Sequence, residues 1–89
     1  GGEEFTIVMP ETDAASAVAR AEAIRRAVSQ QTISHNGRTL GAVTVSIGVA
    51  TFPQDGVTPE LLFEVADAAL YRAKAEGRNR VLHAAAGIG

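Results

Sequence analysis

Two carboxylates, Glu3 and Glu4, follow a pair of glycines and precede an aromatic in the opening run Gly1-Gly2-Glu3-Glu4-Phe5. Glycine pairs supply the positive φ angles of a tight hairpin turn. Carboxylates at the mouth of such a turn, with no basic neighbour, are the ligands a hard cation such as Mg²⁺ takes. Adjacent side chains of a regular strand point to opposite faces, so both carboxylates reach one ion only if the turn distorts that alternation; without the distortion they are a solvated strand end. A second group is cationic: Lys74 and Arg78 flank Gly77 at the end of an apolar-periodic run. On the residues alone they complement the negative end of a helix dipole.

The elements that must position these groups follow from periodicity. Residues 4–9 read as a strand, with Phe5, Ile7 and Met9 on one face and Glu4, Thr6 and Val8 on the other; Pro10 ends it. Thr12 or Asp13 caps a helix over about residues 13–30. Its apolar positions are Ala14, Ala17, Val18, Ala21, Ile24 and Val28, and its charge cluster Glu22, Arg25 and Arg26 reads as a solvated face. Asn36-Gly37 marks a turn across which residues 31–34 and 38–40 can pair. Residues 42–52 form the clearest strand. Val43, Val45, Ile47 and Val49 should face a helical layer. Thr44, Ser46, Gly48 and Ala50 leave room for a backbone or a ligand, with Gly48 serving either a strand contact or a ligand's approach.

Thr58, Pro59 and Glu60 open a second helix. Leu62, Val65, Ala66, Ala69, Leu70 and Ala73 carry its buried stripe, Gly77 stops it, and residues 80–83 form a last short strand. Asp67 and Tyr71 share the helical side of Lys74; Asp67 reads as a structural residue or as one that orients Lys74, and Asn79 as fixing the turn. Residues 84–89 read as a loose tail after a domain over residues 1–83. The order β-α-β(β)-α-β with an antiparallel component predicts an α+β sandwich with helices on one face of the sheet.

Composition narrows the function classes. The chain has 89 residues, so one domain is the ceiling, and its core is alanine-rich with few aromatics (Phe5, Phe52, Phe63 and Tyr71). Net charge is -2 and the eight Lys and Arg form no run, which argues against nucleic-acid binding through a basic surface. Without cysteine there is no disulfide framework, thiol nucleophile or Cys-based zinc site. His35 and His83 lie far apart and read as surface residues rather than metal ligands. No segment is long and apolar enough to span a bilayer, so no direct membrane contact is expected of this segment and a cytoplasmic location is the default, with tethering by upstream segments left open.

The opening tetrad resembles the signature of the GGDEF family, the bacterial diguanylate cyclase domains, in its Glu-for-Asp form. The resemblance continues through Thr44-Val45-Ser46-Ile47-Gly48-Val49-Ala50, similar to the family's inner strand, and through Ala66-Asp67-Ala68-Ala69-Leu70-Tyr71-Arg72-Ala73-Lys74 with Gly77-Arg78-Asn79, similar to its last helix and exit. It covers residues 1 to 83 and about the second half of the family's domain. It implies a partial palm-like, ferredoxin-related fold shared with nucleotide cyclases, the first half of the domain being absent. A central strand would lie upstream of Gly1, and the sheet edge it leaves would be covered or paired with another chain.

The same resemblance implies a function. Two GTP molecules are condensed into cyclic di-GMP with release of two pyrophosphates, by metal-assisted phosphoryl transfer with Mg²⁺ or Mn²⁺. Glu3 is then catalytic and a metal ligand, Glu4 belongs to the same carboxylate site, Gly1 and Gly2 leave room for nucleotide, and Lys74 and Arg78 neutralise the triphosphate. The partners implied are GTP, a second copy of the parent protein in a homodimer, and an upstream sensory or regulatory domain. The 89 residues alone are expected to be inactive. Two other classes remain: a degenerate GGDEF domain that binds GTP or cyclic di-GMP to regulate a partner, and a palm-like interaction module without nucleotide.

Overall fold

The computed structural model describes the backbone of residues 2–10, 13–30, 32–35 and 38–84, and the side chains of residues 3–9, 13–30 and 43–84. Along the chain run β1 (Gly2–Pro10), α1 (Ala14–Ser29), β2 (Thr32–His35), β3 (Arg38–Ala42), β4 (Thr44–Phe52), α2 (Pro59–Ala75) and β5 (Val81–His83). The α+β class and the element order are those the sequence implies. β2 and β3 pair antiparallel as expected; the Asn36-Gly37 turn between them, Gln31 and residues 85–89 lie outside the described residues.

β1, β4 and β5 make one parallel sheet in the order β1-β4-β5. β1 runs in unbroken register along β4, from Gly2 opposite Thr44 to Pro10 opposite Phe52. Among the described strands β4 therefore holds the centre. The physical reason is that β4 is buried along its length, and a buried strand with an unpaired edge leaves polar backbone groups unsatisfied. Both helices are crossovers between parallel strands, so their C-terminal ends return to the N-terminal ends of the strands.

The helices lie on opposite faces of the sheet, which corrects the one-face sandwich. On one face Val45, Ile47 and Val49, all fully buried, pack with Ala17 and Ala21 of α1, and Ile7, Met9, Val28 and Val81 complete the cluster. On the other face Ala50, Leu62 and Ala66 pack with Val8, Phe52 and Val65. The alternation along β4 sorts these two sets: bulky side chains toward the small alanines of α1, small ones toward α2. Gly48 is the closest point. A Cβ there would collide with the carbonyl oxygen of Ala66 and lie 2.5 Å from the amide nitrogen of Leu70. Its absent side chain thus admits the helix backbone, rather than a strand or a ligand.

Local signals set the helix ends. The Asp13 carboxylate caps α1 by accepting from the Ser16 amide at 2.8 Å, and this bond is the main cause holding its carboxyl below the usual range. Thr58 Oγ1 accepts from the Leu61 amide at 3.2 Å and Pro59 takes the first position of α2. Gly77, at φ 121, follows the α2 C-cap Glu76 and turns the chain away. No helix among the described residues is long and apolar enough to cross a membrane.

Candidate functional site

At the N-terminal end of the sheet the start of β1 meets the end of α2. Glu4 stands opposite Ser46 on the α2 face, and across that face Lys74 Nζ lies 3.3 Å from Glu4 Oε1. Beside Lys74 is an open pocket of about 250 Å³ lined by Tyr71, Lys74, Ala75 and Arg78. Tyr71 is 72% exposed and forms an aromatic wall. Two cations and an aromatic ring line a concavity whose side-chain charge suits an anion. Both Lys74 and Arg72 lie in the last turn of α2, where the helix dipole also favours positive charge. The dipole explains their presence but not the pairing with Glu4, which joins residues 70 positions apart in the chain.

Arg78 reaches the pocket from an uncommon backbone. Gly77, Arg78 and Asn79 have φ of 121°, 64° and 50° in succession. For the two non-glycine residues this left-handed geometry costs roughly 1–2 kcal/mol each unless neighbours hold it. The neighbours are specific. The Arg78 amide donates to Ala73 O at 2.9 Å and the Asn79 amide to the hydroxyl of buried Ser46 at 3.0 Å. Asn79 Oδ1 accepts from Arg25 Nη1 at 2.9 Å. Asn79 therefore fixes the turn, as the sequence suggested.

Two expectations change. Glu22 and Arg25 are not a solvated face: their side chains are 29% and 19% exposed, and Arg25 bridges Glu22 and Asn79. Arg25 was invisible as a site neighbour because its partner lies 54 residues away. His83 is not a surface residue but buried, with Nε2 2.9 Å from Asp55 Oδ2; the described side chains do not include His35. Lys74 pairs with Glu4, and Asp67 stays exposed on α2.

The Thr51, Asp55 and His83 cluster deserves its own chemical reading, since hydroxyl, imidazole and carboxylate together suggest a nucleophile. The geometry refuses that use. The Thr51 hydroxyl donates to Asp55 Oδ2 at 2.8 Å, and the Thr51 amide donates to the same oxygen at 2.7 Å. Thr51 is fully buried, so no substrate reaches it. The cluster instead fastens the loop after β4 to β5, and Arg72 extends it by donating to the carbonyl oxygens of His83 and Ala84 at 3.2 and 3.4 Å.

The carboxylates were expected to hold a divalent ion. β1 is regular from Gly2 onward, so Glu3 and Glu4 project from opposite faces and do not converge. Among the described residues no three Asp, Glu, His or Cys side chains come together as a metal site. The described residues alone therefore do not complete such a site; Glu4, beside Lys74, is the carboxylate on the pocket's face. Gly2 begins β1, and Gly1 lies outside the described residues.

Comparison with known proteins bears on this arrangement. The profile of the family described as diguanylate cyclase, GGDEF domain, matches residues 1–80. Response regulator PleD of Caulobacter vibrioides is 49% identical over 97% of the chain, diguanylate cyclase DgcM of Escherichia coli 48% identical over 94%, and diguanylate cyclase A of Treponema denticola 43% identical over 91%. The chain spans only 19%, 19% and 22% of these relatives, about a fifth of their length. The crystal structure of the GGDEF domain of DgcB from Caulobacter crescentus, in complex with c-di-GMP, superposes with a TM-score of 0.73 at 38% identity, covering 82% of this chain and 43% of that one.

Proposed function

Since this chain belongs to the diguanylate cyclase GGDEF domain family, we propose that the longer protein it forms part of condenses two GTP molecules into cyclic di-GMP, releasing two pyrophosphates. The 3′-hydroxyl of one GTP attacks the α-phosphate of the other, and the bond to the pyrophosphate leaving group breaks. Lys74 and Arg78 offset the charge of the triphosphate, and Tyr71 walls the same pocket. The single observation that carries this reading is the pocket lined by Tyr71, Lys74, Ala75 and Arg78, with Lys74 also 3.3 Å from Glu4 of the opening tetrad. A Mg²⁺ or Mn²⁺ ion would supply further charge neutralisation at the phosphates. Glu4, on the pocket's face, is this segment's first ligand for it; Glu3 joins only where the start of β1 departs from its alternation, and further donors come from the rest of the protein. Each domain holds one GTP, so two copies meet as a homodimer; an upstream sensory or regulatory domain fits the relatives' much greater length.

Nucleotide titration of the full-length protein tests the phosphate assignment. Lys74→Ala and Arg78→Ala should each weaken GTP binding by about tenfold or more, the worth of a charge-assisted hydrogen bond. GMP, which lacks the outer phosphates, should bind the wild type and both variants alike. Equal losses for GTP and GMP would contradict the assignment.

A further inference from the structure

We infer that Arg25, on the opposite face of the sheet from the pocket, is a positioning residue for Arg78 and sets the affinity of the site for a nucleoside triphosphate. The inference rests on the reading of Arg78 as a phosphate ligand. Arg78 and Asn79 are consecutive residues at positive φ, 64° and 50°, a conformation that side-chain-bearing residues do not keep unaided. One contact, Arg78 N to Ala73 O, belongs to the end of α2. A second, Asn79 N to Ser46 Oγ, pins the backbone to the central strand. The third comes from α1: Arg25 Nη1 donates to Asn79 Oδ1 at 2.9 Å.

Arg25 is itself held. Its Nε donates to Glu22 Oε1 at 2.7 Å, and its Nη2 meets the same oxygen. One part of the guanidinium is thus fixed on α1 while another reaches the turn. Only 19% of the side chain is exposed, so it is a brace and not a solvated charge. Arg25 does not line the pocket, whereas Arg78 does. Any effect of Arg25 on a bound triphosphate must therefore pass through the turn. With the brace removed, Asn79 and Arg78 relax toward ordinary backbone angles and the Arg78 guanidinium leaves the pocket.

The test is a double-mutant cycle in the full-length protein, reading the dissociation constant for GTP with Mg²⁺. Arg25→Ala should raise it about fivefold, the worth of one hydrogen bond. In the Arg78→Ala background the same change should have no further effect, since the group it positions is gone. Product formation at saturating GTP should be the same for wild type and Arg25→Ala. Asn79→Gly, which tolerates the left-handed backbone but lacks the acceptor, should reproduce the fivefold loss and serves if Arg25→Ala does not fold. An Arg25→Ala effect that is absent, or of equal size in both backgrounds, overturns the inference while leaving Arg78 as a ligand. An Arg78→Ala variant that binds GTP like the wild type, or a wild type that does not bind GTP, overturns the phosphate reading and this inference together.

Discussion

Asp55 accepts from the Thr51 amide, the Thr51 hydroxyl and His83 within 3 Å, all at one carboxylate oxygen. Removing it would take away the acceptor that the buried Thr51 hydroxyl and the buried His83 imidazole share. Asp55→Ala should therefore destabilise the fold by about 2 kcal/mol, the cost of leaving buried donors without their acceptor, as read from chemical denaturation. Glu22 offers a subtler readout. The hydrogen bond from Arg25 is the main cause that holds its carboxyl below the ordinary glutamate value, and the same bond raises Arg25. A carboxylate depressed in the folded state stabilises the fold above its ordinary value, and that contribution is lost as pH falls through the lower folded value. An NMR titration of Glu22 should show its midpoint move up in Arg25→Ala; an unmoved midpoint would mean the brace is not formed in solution. Neither network was legible in the sequence. His83 read as a surface residue and Glu22 and Arg25 as a solvated face, because Asp55 lies 28 positions from His83, Asn79 lies 54 from Arg25, and no periodicity encodes either contact.

At the scale of elements, the alternation in β4 was the most legible feature, and the most instructive in its error. Bulky Val45, Ile47 and Val49 do face a helix, and small Ser46, Gly48 and Ala50 do admit a close backbone. Single-sequence alternation does not say that the close backbone is a second helix, so the two-faced sheet was missed. The caps Asp13 and Thr58 and the stop at Gly77 were legible because their chemistry is local. The contact at Gly48 gives a sharp test. Gly48→Ala must push α2 off the sheet, since the atoms it meets are helix backbone and cannot rotate away. The expected loss is about 3 kcal/mol, at the high end for overpacking. A melting temperature unchanged by this substitution would show that α2 does not sit so close.

For the whole molecule, the sequence exposed the family through the order and spacing of three motifs, and the profile match over residues 1–80 bears this out. It exposed less of the site. Lys74, Arg78 and Glu4 gather at one end of the sheet, but Glu3 faces away from them and the described residues hold no metal cluster. A site divided in this way is what a segment spanning a fifth of its relatives' length would carry if the remaining donors lie elsewhere. The most direct measurement is cyclic di-GMP formation from GTP and Mg²⁺ by the full-length protein, beside its Glu3→Ala variant and the 89-residue segment alone. The account predicts product from the full-length protein, a loss of about a hundredfold or more on Glu3→Ala, of the size seen when a transition-state contact is removed, and none from the segment. No product from a folded full-length protein that binds GTP, undiminished product from Glu3→Ala, or product from the segment alone would contradict it.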